Sequence, residues 1–253
     1  LLRYYVKRSA QFFTGVHSEG WAIQKEARKV ELRDKICSLV DAKADRFVQL
    51  NDSIWSTPEL DFKETKSAAA LIGALKAEGF QVEEGLAGIP TAFVGSWGSG
   101  KPVIGILGEF DALPGLSQKA GCPVKEPVEE GGNGHGCGHC ALGSGSLAAA
   151  VAVKDYLQET GKAGTIRYYG CPGEEHGCGK MFMTRDGVFA DLDAALTWHP
   201  GDSNSVWGIS TLANRHIHFH FKGKTAHAAA APQMGRSALD ACELMNVGVN
   251  YLR

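Results

Sequence analysis

Residues 102–107, PVIGIL, form an almost continuous apolar run. A strand of this kind is buried on both faces, which is typical of a parallel sheet covered by helices. Its neighbours fit that arrangement. Residues 91–97, 165–171 and 194–198 also read as strands. Residues 141–157, rich in alanine, read as a helix that ends in the glycines at 161 and 164. Upstream, Leu32, Ile36, Leu39, Val40, Phe47, Leu50 and Ile54 fall on one broad stripe, predicting a helix over residues 31–55 that Pro58 stops. A second helix is predicted over residues 64–78, closed by Gly79, and a short one over 179–185. Strands alternating with helices predict an α/β fold with a mainly parallel sheet flanked by helices.

The texture changes after about residue 205. RHIHFHF, residues 215–221, alternates strictly, with Ile217, Phe219 and Phe221 on one face and His216, His218 and His220 on the other. It reads as a half-exposed antiparallel strand, with the three histidines on an exposed or interfacial face. An amphipathic helix over 236–252 follows. The expected organisation is an N-terminal extension (1–30), a main α/β part (31–210) and the start of a second, α+β domain (211–253). The chain begins without Met and stops within the last helical pattern, so a partial sequence is expected. Its 253 residues are enough for a sizeable core, and a net charge of −2 gives no reason to expect nucleic acid or an acidic membrane as partner. No apolar run approaches the roughly 20 residues that span a bilayer. Seven cysteines at low density suit a reducing cytoplasm better than a disulfide scaffold.

In a parallel α/β sheet, function gathers beyond the carboxyl ends of the strands. Four polar clusters lie at such places. Glu109 and Asp111 follow the 102–107 strand, NGHGCGHC (133–140) precedes a helix, Glu174, Glu175 and His176 follow the 165–171 strand, and His199 follows the 194–198 strand. A thiol, imidazoles and carboxylates together form a metal-ligand set. Adjacent carboxylates can divide the labour, one holding metal and its neighbour moving a proton. Each cluster also has a blander reading. Cys137 and Cys140 form a Cys-x-x-Cys string that a thiol-disulfide oxidoreductase would use, or they sit in a plain glycine turn. Glu174-Glu175 alone reads as a solvated turn, His199 as a satisfied strand-end histidine, His135 as loop structure, and Cys171, Trp97 and Trp207 as packing. A redox site would follow an apolar strand, whereas a long glycine-rich loop precedes Cys137, which favours metal.

Five linked segments carry a family resemblance: GEFDALPGLSQ (108–118), NGHGCGHC (133–140), GCPGEEHGCGK (170–180), DAALTWHP (193–200) and FKGKTAHAAAAPQMGRSALDA (221–241). Together they resemble the dinuclear metallopeptidases that include aminoacylases, hippurate hydrolases and carboxypeptidase G. The likeness covers about residues 40–253. It implies a catalytic α/β domain holding two divalent metal ions, zinc or manganese, and an inserted lid domain that dimerises. It further implies Cys137, His139, Glu175 and His199 as metal ligands, with Cys137 the bridge. By the same likeness Glu174 is the general base, Asp111 the acid that orients a ligand imidazole, and His227 the residue that polarises the scissile carbonyl. The implied activity is metal-dependent hydrolysis of an acyl- or aroyl-amino acid amide, such as p-aminobenzoyl-glutamate, or of a small dipeptide. The implied partner is a second copy or a paralogous subunit, and a non-catalytic partner role is the alternative. The family's late histidine ligand has no counterpart here, and Cys140 stands where relatives carry Asn or Asp.

Overall fold

The computed structural model describes residues 19–253, apart from 209, 211, 214 and 216. It falls into two compact units, one ending at Asn204 and one covering Ser205–Arg253. In the first, helices α1 (Glu19–Asp41), α2 (Ala44–Trp55) and α3 (Thr65–Ala77) precede strands β1 (Gln81–Glu84), β2 (Phe93–Ser99) and β3 (Val103–Gly108). Helix α4 (His139–Thr160), β4 (Gly164–Gly170), helix α5 (Gly179–Arg185) and β5 (Ala194–Leu196) complete it.

The sheet order is β1-β2-β4-β3-β5. Strand β3 runs parallel to β4 and β5, while β2 runs antiparallel to both β1 and β4. The sheet is therefore mixed, with its parallel part confined to the three strands whose ends carry the polar clusters. Although β2 and β3 are joined by a short link, β4 lies between them. The link crosses the start of β4, where the Thr165 amide donates to Pro102 O at 2.9 Å and the Thr165 hydroxyl to Gly100 O at 2.8 Å. Gly98 is required at this crossing, since a Cβ there would lie 2.3 Å from Gly164 O and its φ is +89°.

Both faces of the sheet are covered, as the apolar reading of residues 102–107 predicts. Phe93 and Tyr168 pack on one face with Phe47, Ile54, Leu71, Leu75 and Leu147 of α2, α3 and α4. Their chain neighbours Val94 and Tyr169 belong to a separate cluster with Met183, Phe189 and Leu192. Successive strand residues point to opposite faces, and here each face meets its own core.

The stripe predicted as one helix over 31–55 is two helices. The break falls at Lys43, whose φ of −119° is not helical. From there Lys43 bonds Glu78 at 2.7 Å and Asp155 at 2.7 Å, and Glu78 also takes Lys154 at 3.0 Å and pairs with Arg46. Glu78, at the end of α3, thus ties α2 to α4. The short strand β1, QVEE, has no apolar pattern to announce it, since its burial pattern is almost wholly exposed.

In the second unit, helix α6 (Ala238–Asn250) is capped by Ser237, whose hydroxyl accepts from the Asp240 amide at 3.0 Å. Residues 215 and 217–221 form no strand, which corrects the antiparallel strand expected there. Alternation describes a face, but a strand needs a partner's ladder, and no described segment supplies one. Ile217 and Phe219 are each 57% exposed. His216 lies outside the described residues.

Removing the Glu78 carboxylate takes one of two counter-charges from the buried Lys154 ammonium and leaves Asp155, at 2.8 Å, as the other. Glu78→Ala is expected to cost about 3 kcal/mol in urea unfolding at pH 7. Burial by itself raises the Glu78 pKa, but hydrogen bonds from Lys43 and Lys154 outweigh it and hold the carboxyl below its ordinary value. The wild-type advantage is therefore complete above about pH 4.3, the unfolded value, and shrinks as the pH falls through the lower folded value.

Candidate metal centre

Because β3, β4 and β5 are parallel, their carboxyl ends lie along one edge of the sheet. The chain leaves β3 at Gly108, directly before Glu109 and Asp111. It leaves β4 at Gly170, ahead of Glu174 and Glu175, and β5 at Leu196, ahead of His199. The long loop after β3 returns to the same edge, where α4 opens on His139. Gly138 precedes that helix with φ +78° and allows Pro200 to approach, since a Cβ would lie 3.1 Å from the proline ring. Four segments far apart in the chain thus meet at one place.

Asp111 organises them. Its Oδ1 accepts from His139 Nδ1 at 2.8 Å, with both side chains fully buried, and its Oδ2 accepts from the Glu175 amide at 2.9 Å. A carboxylate only accepts, so the His139 proton sits on Nδ1 and the Nε2 lone pair faces the cluster. His199 has the same orientation. Its Nδ1 donates to Pro200 O at 2.8 Å, and its Nε2 lies 3.2 Å from Cys137 Sγ. The two rings stand at 85° with centroids 5.8 Å apart. His199 is steadied by its neighbour Trp198, whose indole N–H donates to Ser146 Oγ on α4 at 3.2 Å, and Ser146 in turn donates to Leu107 O at 2.8 Å. Glu174 Oε2 and Glu175 Oε1 lie 3.8 and 4.0 Å from His139 Nε2.

Two donor groups result, Cys137–His139–His199 and Glu109–His139–Glu174, each with its atoms within 4.8 Å of one another. Three buried atoms here, Glu109 Oε2, His139 Nε2 and Glu175 Oε1, have no hydrogen-bond partner. Unpartnered buried polar atoms are costly, and three at one point form a cradle suited to a cation. The electrostatics agree. Burial opposes charge on His139, yet the hydrogen bond to Asp111 and the carboxylates of Asp111, Glu109 and Glu175 outweigh it and raise its pKa. Burial also opposes the Asp111 charge, but His139 and the Glu175 amide hold that carboxyl below its ordinary value. Cys137 is pushed up to about 12 by burial and by Glu175. A pocket that draws a proton onto imidazole and resists a bare thiolate is one that positive charge stabilises. The residues present fit a divalent metal.

Of the residues expected in the centre, Asp111, Cys137, His139, Glu174, Glu175 and His199 converge. His227 belongs to the second unit. There its Nδ1 accepts from the amides of Ala229 at 3.2 Å and Ala230 at 3.1 Å, which puts the ring proton on Nε2 and makes that atom a donor. The redox reading loses its footing. Cys140 is 3% exposed and packs in the core with Ile54 and Leu147, and burial pushes its thiol up to about 11. Redox cysteines need the opposite shift. His135 is structural, its Nε2 donating to Ile54 O at 3.1 Å.

Two residues were not foreseen, and a third, Glu109, was read only as part of the polar cluster after β3. Glu109 enters the donor set itself. Glu64 and Phe62 brace the Glu174–Glu175 loop from behind. Glu64 is fully buried, accepting from the Gly173 amide at 2.8 Å and from the Thr91 hydroxyl at 3.0 Å, and burial raises its pKa. Phe62, held at φ +57°, lies flat on Gly173 and Gly177, where an added Cβ would come within 2.9 and 2.3 Å of its ring.

Known proteins resemble this chain. The sequence model of peptidase family M20/M25/M40 matches residues 105–247. The chain is 53% identical over 213 residues to a p-aminobenzoyl-glutamate hydrolase subunit of Escherichia coli K12, covering 84% of this chain and 44% of that protein. It is 29% identical over 247 residues to the human Xaa-Arg dipeptidase, covering 91% of this chain and 52% of that protein. The chain therefore spans about half the length of these relatives. The crystal structure of a putative aminohydrolase from methicillin-resistant Staphylococcus aureus shares the fold, with a TM-score of 0.56 and 24% identity over 66% of this chain and 42% of that one.

The glycine floor of the loop can be tested by thermal denaturation. A Cβ at Gly179 would lie 2.0 Å from Pro172 O, so Gly179→Ala is expected to destabilise by about 2 kcal/mol or more. Gly73, within α3, meets nothing within 4 Å, and Gly73→Ala is expected to stabilise by about 0.5–1 kcal/mol.

Proposed function

Since the chain belongs to peptidase family M20/M25/M40, we propose that it forms the metal-holding part of a hydrolase that cleaves an acyl- or aroyl-amino acid amide or a small dipeptide. The observation that carries this reading is the cradle of unpartnered buried atoms at His139, Glu175 and Glu109. The names of the E. coli and human relatives point to p-aminobenzoyl-glutamate and to dipeptides as the substrate class. Two divalent ions, zinc or manganese, would be held by Cys137, His139, Glu175 and His199. A thiolate with imidazoles and carboxylates suits zinc, and the carboxylates also suit manganese.

Bound ions would supply the Lewis acidity that acidifies water and polarises the amide carbonyl. The remaining steps belong to the chain. Asp111 fixes the His139 ring so that Nε2 faces the centre. Glu174 is the general base. Burial and the neighbouring Glu109 carboxylate raise its pKa, which makes it a better proton acceptor than an ordinary glutamate. It takes the proton from the water attacking the amide carbon and returns it to the departing nitrogen. The family resemblance assigns His227, whose ring proton lies on Nε2, the role of donor to a scissile carbonyl oxygen, often in a partner's active site.

The E. coli relative is named as a subunit, which supports assembly with a second copy or a paralogous chain. All seven cysteines are free, in keeping with a reducing cytoplasm. No described helix is long and apolar enough to cross a membrane.

Hydrolysis of p-aminobenzoyl-glutamate and of dipeptides, followed with and without chelator, tests the reading. Activity is expected to vanish with the metal and return with zinc or manganese. Glu174→Gln is expected to lower kcat by about 10²–10⁴-fold with metal content unchanged. Asp111→Asn is expected to weaken metal binding by about 10–100-fold. Hydrolysis indifferent to chelator would overturn the proposal.

A further inference from the structure

Glu109 stands outside the ligands carried over from the family, yet it faces the same point. It lies directly after β3, 7% exposed, and its two oxygens meet different surroundings. Oε1 receives the ammonium of Lys180, from the first turn of α5. Oε2 has no hydrogen-bond partner and lies 3.1 Å from His139 Nε2, which has none either. Two buried polar atoms facing one another without a hydrogen bond are costly unless a third party takes both. Donors about 2.0–2.2 Å from one tetrahedral zinc are themselves roughly 3.3 Å apart, and the 3.1 Å separation of these two atoms matches that spacing. Glu174 Oε2 joins them within 4.8 Å.

We propose that Glu109 is a further ligand of the metal centre, held in its ligating pose by Lys180. The proposal rests on the metal reading above. Lys180 pins Oε1 and so directs Oε2 toward His139 Nε2. It also sets one fixed positive charge beside a cluster of carboxylates. Lys180 belongs to the segment that follows Glu174 and Glu175, so the same ion pair ties the end of β3 to the loop beyond β4.

Zinc affinity, measured by competition with a chromophoric chelator on the wild-type chain, Glu109→Gln and Lys180→Met, tests this. Cobalt loading gives a second readout, because its visible absorption reports the number and kind of ligands. Glu109→Gln is expected to weaken zinc by about tenfold or more and to alter the cobalt spectrum. Lys180→Met, which keeps the ligand but frees it to swing, is expected to lose less. Wild-type affinity and an unaltered cobalt spectrum in Glu109→Gln would overturn the proposal. If that variant fails to fold, the same pair of results in Lys180→Met would overturn it. A wild-type chain that binds neither metal would instead overturn the metal reading itself, so the two failures are distinguishable.

Discussion

The Asp111 carboxylate is the contact on which the centre depends. One oxygen holds the His139 ring at the start of α4, and the other holds the Glu175 amide beyond β4, while Asp111 itself extends from β3. Three segments separated by as many as 64 residues are registered by two hydrogen bonds to a single side chain. Both bonds are made in a buried site, where a charge-assisted bond is strong and its loss leaves a charge unpartnered. The imidazole orientation, and with it the direction of the Nε2 lone pair, follows from that carboxylate. The parallel strands bring the loops to one edge, and Asp111 fixes how they meet.

Much of this arrangement was legible in the chain. The apolar run at residues 102–107 announced a strand covered on both faces, and the separate cores around Phe93–Tyr168 and Val94–Tyr169 bear that out. The glycine-rich loop before Cys137 argued against a redox site, and the burial of Cys140 agrees. What escaped the sequence depends on tertiary partners. The break at Lys43 answers to Glu78 and Asp155, which lie 35 and 112 residues away. Strand β1 forms because β2 pairs with it, though its side chains are mostly exposed. The 215–221 segment shows the converse, an alternating pattern with no described strand to pair with.

The members of the centre left unassigned by the sequence differ in how readable they were. Glu109 lies two residues before Asp111, just beyond β3, where strand alternation would put both side chains on one side, and that spacing was available as a signal. Glu64 was not readable. It meets Gly173 across 109 residues, and nothing near either position in the chain links them. Phe62 belongs with it: its ring lies against the glycines at 173 and 177, which nothing in the sequence ties to position 62.

The gathering of Glu109, Asp111, Glu174 and Glu175 around one point also imposes an order of events. An acyl-amino acid is an anion, and in a buried site of low effective dielectric it is repelled by these carboxylates. Bound cations would offset that charge. Under the proposed function, the same carboxylates that would hold metal would therefore also keep an anionic substrate out of a centre not yet loaded.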